Sequence, residues 1–331
     1  MWSDPPGVLG SAGWAGGVAG GSEPPGMWSC PWWLICCCAC GSGALAAAAG
    51  PAMGRTLEIK QLDVCDESSI RACLDSIPGR HVDILVSNAG VGMAGPLECQ
   101  SLAAMQNLMD TNFFGLVRLV KEVLPDMKRR RGGHIVVISS IMGLQGIVFN
   151  DIYSASKFAV EGFCESLVVQ ALRFNVAISL VEPGPVMTEF ETKLYEEAER
   201  ADYSRTDPET AEIFTKLYLR NSRDVFTSLG QTPEDISRAH VQHTLRVIEA
   251  ARPPFRHQTN VAYTPMAALK HADPSGALIT DAFYKLVFKY DAVLRFGLRA
   301  IRLPVGAAKS WGPSRTQTLS GSIPSPIPPG S

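Results

Sequence analysis

Apolar and polar positions along the chain follow two rhythms that take turns, and together they predict a fold. Leu57-Glu58-Ile59-Lys60-Gln61-Leu62-Asp63-Val64 alternates with period two and predicts a strand. Asp66 then offers a helix cap for a segment running to about Ile77. The compact apolar run from Val82 to Asn88, ending at Ala89-Gly90, predicts a buried strand. A long helix is expected from near Ser101 to Arg131, a strand over His134–Ser140, a helix from near Asp151 to Arg173, and a strand over Val176–Val181 that ends at Glu182-Pro183-Gly184. Strands alternating with helices predict an α/β fold with a doubly wound, parallel sheet of Rossmann type. After Pro185 the rhythm loosens into charged helices that suit a substrate lid, and Asn260-Val261-Ala262-Tyr263 reads as a last short strand.

The ends of the chain read differently. Residues 1–54 are rich in Gly, Ala, Pro, Trp and Cys without either period, and are expected to be a disordered low-complexity segment. Pro31 to Ala49 is apolar enough to raise a membrane segment or acylated cysteines, but Gly41-Ser42-Gly43 interrupts it and no basic region precedes it. Residues 55–275 are then the globular domain. Residues 276–303 form an amphipathic helical segment with Ile279, Phe283, Leu286, Val287, Tyr290, Leu294 and Ile301 near one face, and Lys285, Lys289, Arg295, Arg299 and Arg302 beside it. That pattern predicts association with a membrane surface, with the domain facing the cytosol, or packing against the domain itself. Residues 304–331 are Ser- and Pro-rich, with disorder expected.

Charge changes the picture little. Thirty Lys and Arg against thirty-two Asp and Glu create no field that would select nucleic acid. The one dense basic run, Lys128-Arg129-Arg130-Arg131, falls where a helix C-terminus favours cations, with membrane phosphates as the other reading. Five of the nine cysteines crowd into positions 30–40. Cys65, Cys73, Cys99 and Cys164 are scattered, read as small buried apolar residues of a reducing compartment, and form neither a disulfide framework nor a metal site.

In an open parallel sheet ligands bind beyond the carboxyl ends of the strands, which directs attention to the residues just after each strand. Tyr153 and Lys157 lie four apart on one helix and share a face. An ammonium there favours the tyrosinate, and a phenol that exchanges protons near neutrality needs such a neighbour. Ser140, ending the preceding strand, adds a hydroxyl able to polarise a carbonyl oxygen. Alone, Tyr-x-x-x-Lys is weak. With Asn88-Ala89-Gly90, Asn112, Ser140 thirteen residues before Tyr153, and Pro183-Gly184, it resembles the short-chain dehydrogenase/reductase family.

The resemblance spans Leu57 to Pro265 and is closest from Asn107 to Glu189. It points to the branch acting on retinoids and 17β-hydroxysteroids, and Met127–Arg131, His134–Ser140 and Phe190 favour the retinoid side. It implies reduction of all-trans-retinal by hydride transfer, with a steroid 17-ketone as the alternative substrate. It implies that Tyr153 is the general acid, that Lys157 lowers its pKa and binds the nicotinamide ribose, that Ser140 orients the carbonyl, and that Asn112 sustains a proton relay. Substrate would touch Ser140, Asn150 and Tyr153. Asp63 and Val64 would border the adenine; Asn88, Ala89 and Gly90 the ribose; and Pro183, Gly184, Val186 and Thr188 the nicotinamide and pyrophosphate. A homodimer through the Ser101 and Tyr153 helices is also implied.

One departure stands out. The family's opening strand and Gly-x-x-x-Gly-x-Gly turn should lie some fifty residues before Asp63, and Gly10-Ser11-Ala12-Gly13-Trp14-Ala15-Gly16-Gly17 lacks that spacing. The chain is therefore expected to lack the first βαβ unit and its central strand, and to bind cofactor weakly. The implied cofactor is NADP, with NAD left open because the residues that choose between them belong to that unit. The same departure keeps a second reading alive, a cofactor-deficient relative that serves as an interaction partner.

Overall fold

A computed structural model describes residues 33–36, 58, 60–186, 189–229, 247–290, 292–293 and 296. Five parallel strands lie in the order β1-β2-β3-β4-β5: β1 (Trp33–Cys36), β2 (Ile84–Ser87), β3 (His134–Ile138), β4 (Ala177–Glu182) and β5 (Arg256–Gln258). Registers run Trp33 to Ile84, Ile84 to His134, His134 to Ala177 and Leu180 to Arg256. Sequential parallel neighbours demand crossover helices, which the expected alternation provided.

Strands β2, β3 and β4 are buried because both faces are covered. Leu85, Ile135 and Leu180 turn to one side and pack with α1 (Glu67–Asp75), α3 (Gly115–Arg130) and α4 (Asp151–Leu172) through Ile70, Leu74, Leu119, Met127, Val160 and Cys164. Their neighbours Val86, Val136 and Val181 turn to the other side, against Ile248. Period-two strands sandwiched in this way are the doubly wound arrangement. Capping follows the sequence: Asp66 accepts from Ser68 N–H at 2.8 Å at the start of α1. Ser101 accepts from Ala104 N–H at 3.2 Å at the start of α2 (Leu102–Met109). A π-helical stretch, Asp110–Phe114, joins α2 to α3, so the expected long helix is continuous but locally widened.

Four expectations are corrected. Trp33–Cys36, inside the stretch read as low complexity, is a strand paired along β2, so the place of the missing first strand is taken. In sequence Gly41-Ser42-Gly43 follow it, outside the described residues, as do residues 304–331 and most of 1–54. Leu62–Val64 is not a strand: Asp63 and Cys65 form a turn, and Val64 reaches the core because Gly115 lets it approach, a Cβ there lying 2.8 Å from Val64 Cγ2. The last strand is Arg256–Gln258, whereas Val261–Tyr263 is one 3-10 turn capped by Asn260. Cys65 is exposed rather than buried.

The basic run is absorbed locally. Arg130 pairs with Asp126 and Asp83, Arg129 with Asp126, Lys128 sits 5.0 Å over the Phe174 ring, and Arg131 donates to Arg173 O at 3.2 Å. Beyond β4 come α5 (Glu189–Arg200), α6 (Pro208–Glu212), a π-helical segment Ile213–Tyr218, α7 (Leu219–Leu229), α8 (Thr264–Ala272) and α9 (Ala277–Tyr284). No helix among the described residues is long and apolar enough to cross a membrane.

His134, 3% exposed on β3, gives the sheet a pH dependence. Ser179 donates its hydroxyl hydrogen to Pro254 O at 2.7 Å, so it must accept from His134 Nε2–H at 2.9 Å, which assigns the tautomer. Burial lowers the imidazole pKa to about 4. The unfolded chain thus binds a proton below ~6.5 that the fold refuses, so stability falls as pH drops from there towards 4, by about 3 kcal/mol. Urea unfolding at neutral and acidic pH should show His134→Gln losing that part of the slope; equal slopes in both proteins would contradict it.

Candidate active site

The carboxyl ends of β2, β3 and β4 bring together most of the residues marked by the sequence. Ser140 starts the 3-10 turn Ile141–Gly143, where its Oγ accepts from Met142 N–H at 3.1 Å. The turn is tied to the loop after β4, because Ile141 N–H donates to Pro183 O at 3.0 Å. Gly143 and Gly184 are required by close approach. A Cβ on Gly143 would lie 2.8 Å from Glu161 Cγ, and one on Gly184 2.8 Å from the Tyr263 ring. Val186 is partly buried at the end of that loop; Thr188 lies outside the described residues.

Tyr153 and Lys157 project from the first turns of α4 as expected. Lys157 is 7% exposed and donates to Ile138 O at 3.0 Å. Its Nζ lies 5.7 Å from the centre of the Tyr153 ring. Burial lowers the Lys157 pKa to about 8, opposed by the charge of Glu161. For Tyr153 the expected direction is reversed. Removal from water, reinforced by the charge of Glu191, holds the phenol well above its ordinary pKa, and the hydrogen bond with Ser140 offsets this only in part. Desolvation is the dominant influence on this phenol, and it favours the protonated form.

Asn112 is 4% exposed in the π-helical stretch, and its amide is fully committed: Oδ1 accepts from Val91 N–H at 2.8 Å, while Nδ2 donates to Val91 O at 2.9 Å and Ser156 Oγ at 3.1 Å. It bridges the Asn88–Val91 loop to α4, and Gly90 lies against it, a Cβ there being 3.4 Å from Oδ1. Ala89 packs on the core. Asn150 is 3% exposed and spends its amide hydrogens on Val148 O at 3.0 Å and Tyr218 Oη at 2.5 Å. Asp63 and Val64 are engaged elsewhere, with Cys65, Ser69, Gly115 and Arg118. None of those partners belongs to the Ser140–Tyr153 group.

The sequence marked the helices after Pro185 as suited to a lid, but not the aromatic cluster within them. Phe149, Phe214 and Tyr218 meet edge-on or stacked with ring centres 5.1–5.3 Å apart, and Tyr203 joins them. Glu191 on α5 faces this group, its pKa raised to about 8 by burial. The signal available was the recurrence of aromatics among charged residues from Tyr195 to Phe226, which has no simple period.

Chemically, a protonated phenol beside a serine hydroxyl can deliver a proton to a carbonyl oxygen held between them. Lys157 has three N–H groups and uses one on Ile138, so two donors remain in a position shielded from water. Paired hydroxyls such as those of a ribose fit that arrangement.

The short chain dehydrogenase family model matches residues 35–199. The chain is 58% identical over 269 residues to retinol dehydrogenase 8 from Bos taurus, covering 81% of this chain and 85% of that protein. It is 41% identical to human 17-beta-hydroxysteroid dehydrogenase type 1, over 70% of this chain and 69% of the relative. A short-chain dehydrogenase structure from Streptomyces avermitilis superposes with a TM-score of 0.59 at 26% identity, covering 76% of this chain and 87% of that one. The chain belongs to the short-chain dehydrogenase family and is an oxidoreductase. Enzymes of this family use nicotinamide dinucleotides, and a structural neighbour, serine dehydrogenase (28% identical, TM-score 0.52), was solved with NADP+.

Proposed function

We propose that this chain reduces all-trans-retinal to retinol with NADPH, using Tyr153, Ser140 and Lys157. The observation that carries the chemistry is the placement of Tyr153 and Lys157 on one face of α4, with Lys157 Nζ 5.7 Å from the phenol ring and bonded to Ile138 O, where the chain turns through Ser140. The similarity to retinol dehydrogenase 8 supports the retinoid as substrate. Ser140 and Tyr153 hold the carbonyl oxygen, and Tyr153 gives it a proton as negative charge develops there. Lys157 binds the nicotinamide ribose through its two spare donors and balances charge on the phenolate. When bound, the cofactor supplies the hydride. Asn88, Ala89, Gly90, Pro183 and Gly184 line its path at the strand ends, and Asn112 fixes the first three through Val91. Asn150 supports the substrate side indirectly, by holding Tyr218.

Reduction of a steroid 17-ketone is the second reading, favoured by the 41% identity to the human steroid enzyme. An inactive interaction partner is disfavoured by β1, which occupies the sheet position that such a relative would lack.

Two surface features extend the proposal. Leu102 on α2 and Leu172 on α4 are exposed, and α2 and α4 border an open groove of about 480 Å³ lined by Met105, Phe114, Ile152 and Ala155, which suits a homodimer through these helices. In α9 and beyond, Tyr284, Leu286, Phe288, Tyr290, Val293 and Phe296 are exposed while Ile279 is buried. Lys285 pairs with Asp281, and Lys289 lies 5.5 Å from the Tyr284 ring. Exposed aromatics with interleaved lysines suit an interfacial helix, so peripheral association with a membrane, the domain in the cytosol, is part of the proposal.

Tyr153→Phe should lower retinal turnover at least about a hundredfold, with retinal outcompeting estrone in the unaltered chain. Near-normal turnover of the variant would remove Tyr153 from the chemistry, and preference for estrone would select the steroid reading. Co-sedimentation with anionic vesicles should depend on residues 278–303. Equal partitioning of chains with and without them would take that segment out of the account.

A further inference from the structure

Beneath the site, three carboxylates gather around one guanidinium, and the chemistry above makes no use of them. Arg256 on β5 donates through Nη1 to Glu161 Oε2 at 2.5 Å and to Glu182 Oε1 at 2.6 Å, and through Nη2 to Glu165. Glu161 is 4% exposed and Glu182 1%, whereas Glu165 reaches solvent. Glu161 Oε1 is buried without a hydrogen-bond partner, the nearby Ser139 hydroxyl lying outside bonding geometry. A buried ion pair roughly breaks even against apolar packing, and an excess of carboxylates does worse. Holding β5 against α4 is therefore a poor explanation for this composition.

Placement offers a better one. Glu161 comes four residues after Lys157 and sits on the same face of α4, one turn on. Both pack under the Ser140 turn: a Cβ on Gly143 would lie 2.8 Å from Glu161 Cγ, 3.0 Å from Ser139 Oγ and 3.1 Å from Lys157 O. Arg256 reaches this point from β5 and grips Glu182, the residue before Pro183, with the same nitrogen.

We propose that Glu161 is a positioning residue for the reaction, acting on Lys157 through its buried carboxylate, which Arg256 holds in place. This rests on the reading of Lys157 as part of the catalytic set. The groups facing Glu161 are Lys157, Cys164 and Glu165 on α4, Ser139 at the end of β3, Glu182 on β4 and Arg256 on β5. Burial first, and Glu165 as well, push Glu161 towards protonation; Arg256 opposes them. Glu182, raised to about 7 by burial and by Glu161, is held by the same guanidinium. The influence runs from Arg256 to Glu161 to Lys157, where burial removes the proton and Glu161 retains it. Loss of the Glu161 charge lets Lys157 deprotonate at lower pH.

The test is kcat against pH for the full chain with all-trans-retinal and NADPH. Lys157→Met should abolish turnover; if it does not, the catalytic set itself is wrong, and the proposal falls with it. With that established, Glu161→Gln should move the alkaline limb down by about one pH unit, giving about tenfold lower kcat on the alkaline side, about twofold at pH 7 and little change near pH 6. Glu161→Asp should restore part of the limb, and Glu165→Gln should leave it in place. Arg256→Gln, which keeps the Glu161 side chain, should move the limb in the same direction and serves if Glu161→Gln does not fold. A uniform loss at every pH, or an unmoved limb in folded Glu161→Gln or Arg256→Gln, overturns the proposal.

Discussion

A buried ammonium is the constraint on which the site depends. Lys157 is almost wholly out of water, and an unsupported charge there would shed its proton. Its hydrogen bond to Ile138 O anchors it to the end of β3, and that carbonyl is available because the strand stops there while the chain turns through Ser140. The same turn donates to Pro183 O, so β3, β4 and α4 converge on one point. Sheet register thereby becomes site geometry. A slip of one residue in β3 would turn Ile138 and Ser140 to the wrong faces together.

Burial also shapes the phenol that the proposed reaction uses. Tyr153 holds its proton because removal from water and the charge of Glu191 both oppose the phenolate. Nearby in sequence and fold, Phe149, Phe214 and Tyr218 pack together, and Tyr218 is joined to Asn150 at the start of α4. The aromatic cluster after β4 is thus tied to the start of α4.

Much of this was legible in the sequence, for identifiable reasons. Strands β2, β3 and β4 are central and buried, so their apolar runs are continuous and their ends carry small or polar residues. Helical spacing puts Tyr153 and Lys157 on one face, and they stood out because Asn88-Ala89-Gly90, Asn112, Ser140 and Pro183-Gly184 surround them in the sequence. The misreadings share a cause. Trp33–Cys36 is only four residues long amid Gly- and Ala-rich text, and it is a strand only because β2 offers it partners. Leu62–Val64 has strand-like alternation, but Asp63 and Ser69 side chains give the backbone a turn instead. Arg256–Gln258 carries no apolar pattern, because its Arg256 is drawn in by carboxylates 74 to 95 residues away. Pairings set by tertiary contact leave no local period to read.

The central claim is that these strand ends deliver a hydride and a proton to the two ends of one carbonyl bond. It is tested most directly by incubating the full chain with all-trans-retinal and NADPH bearing deuterium at both C4 positions, then weighing the product. The account predicts retinol carrying one deuterium on its carbinol carbon. Retinol without the label, or no retinol at all, would contradict it.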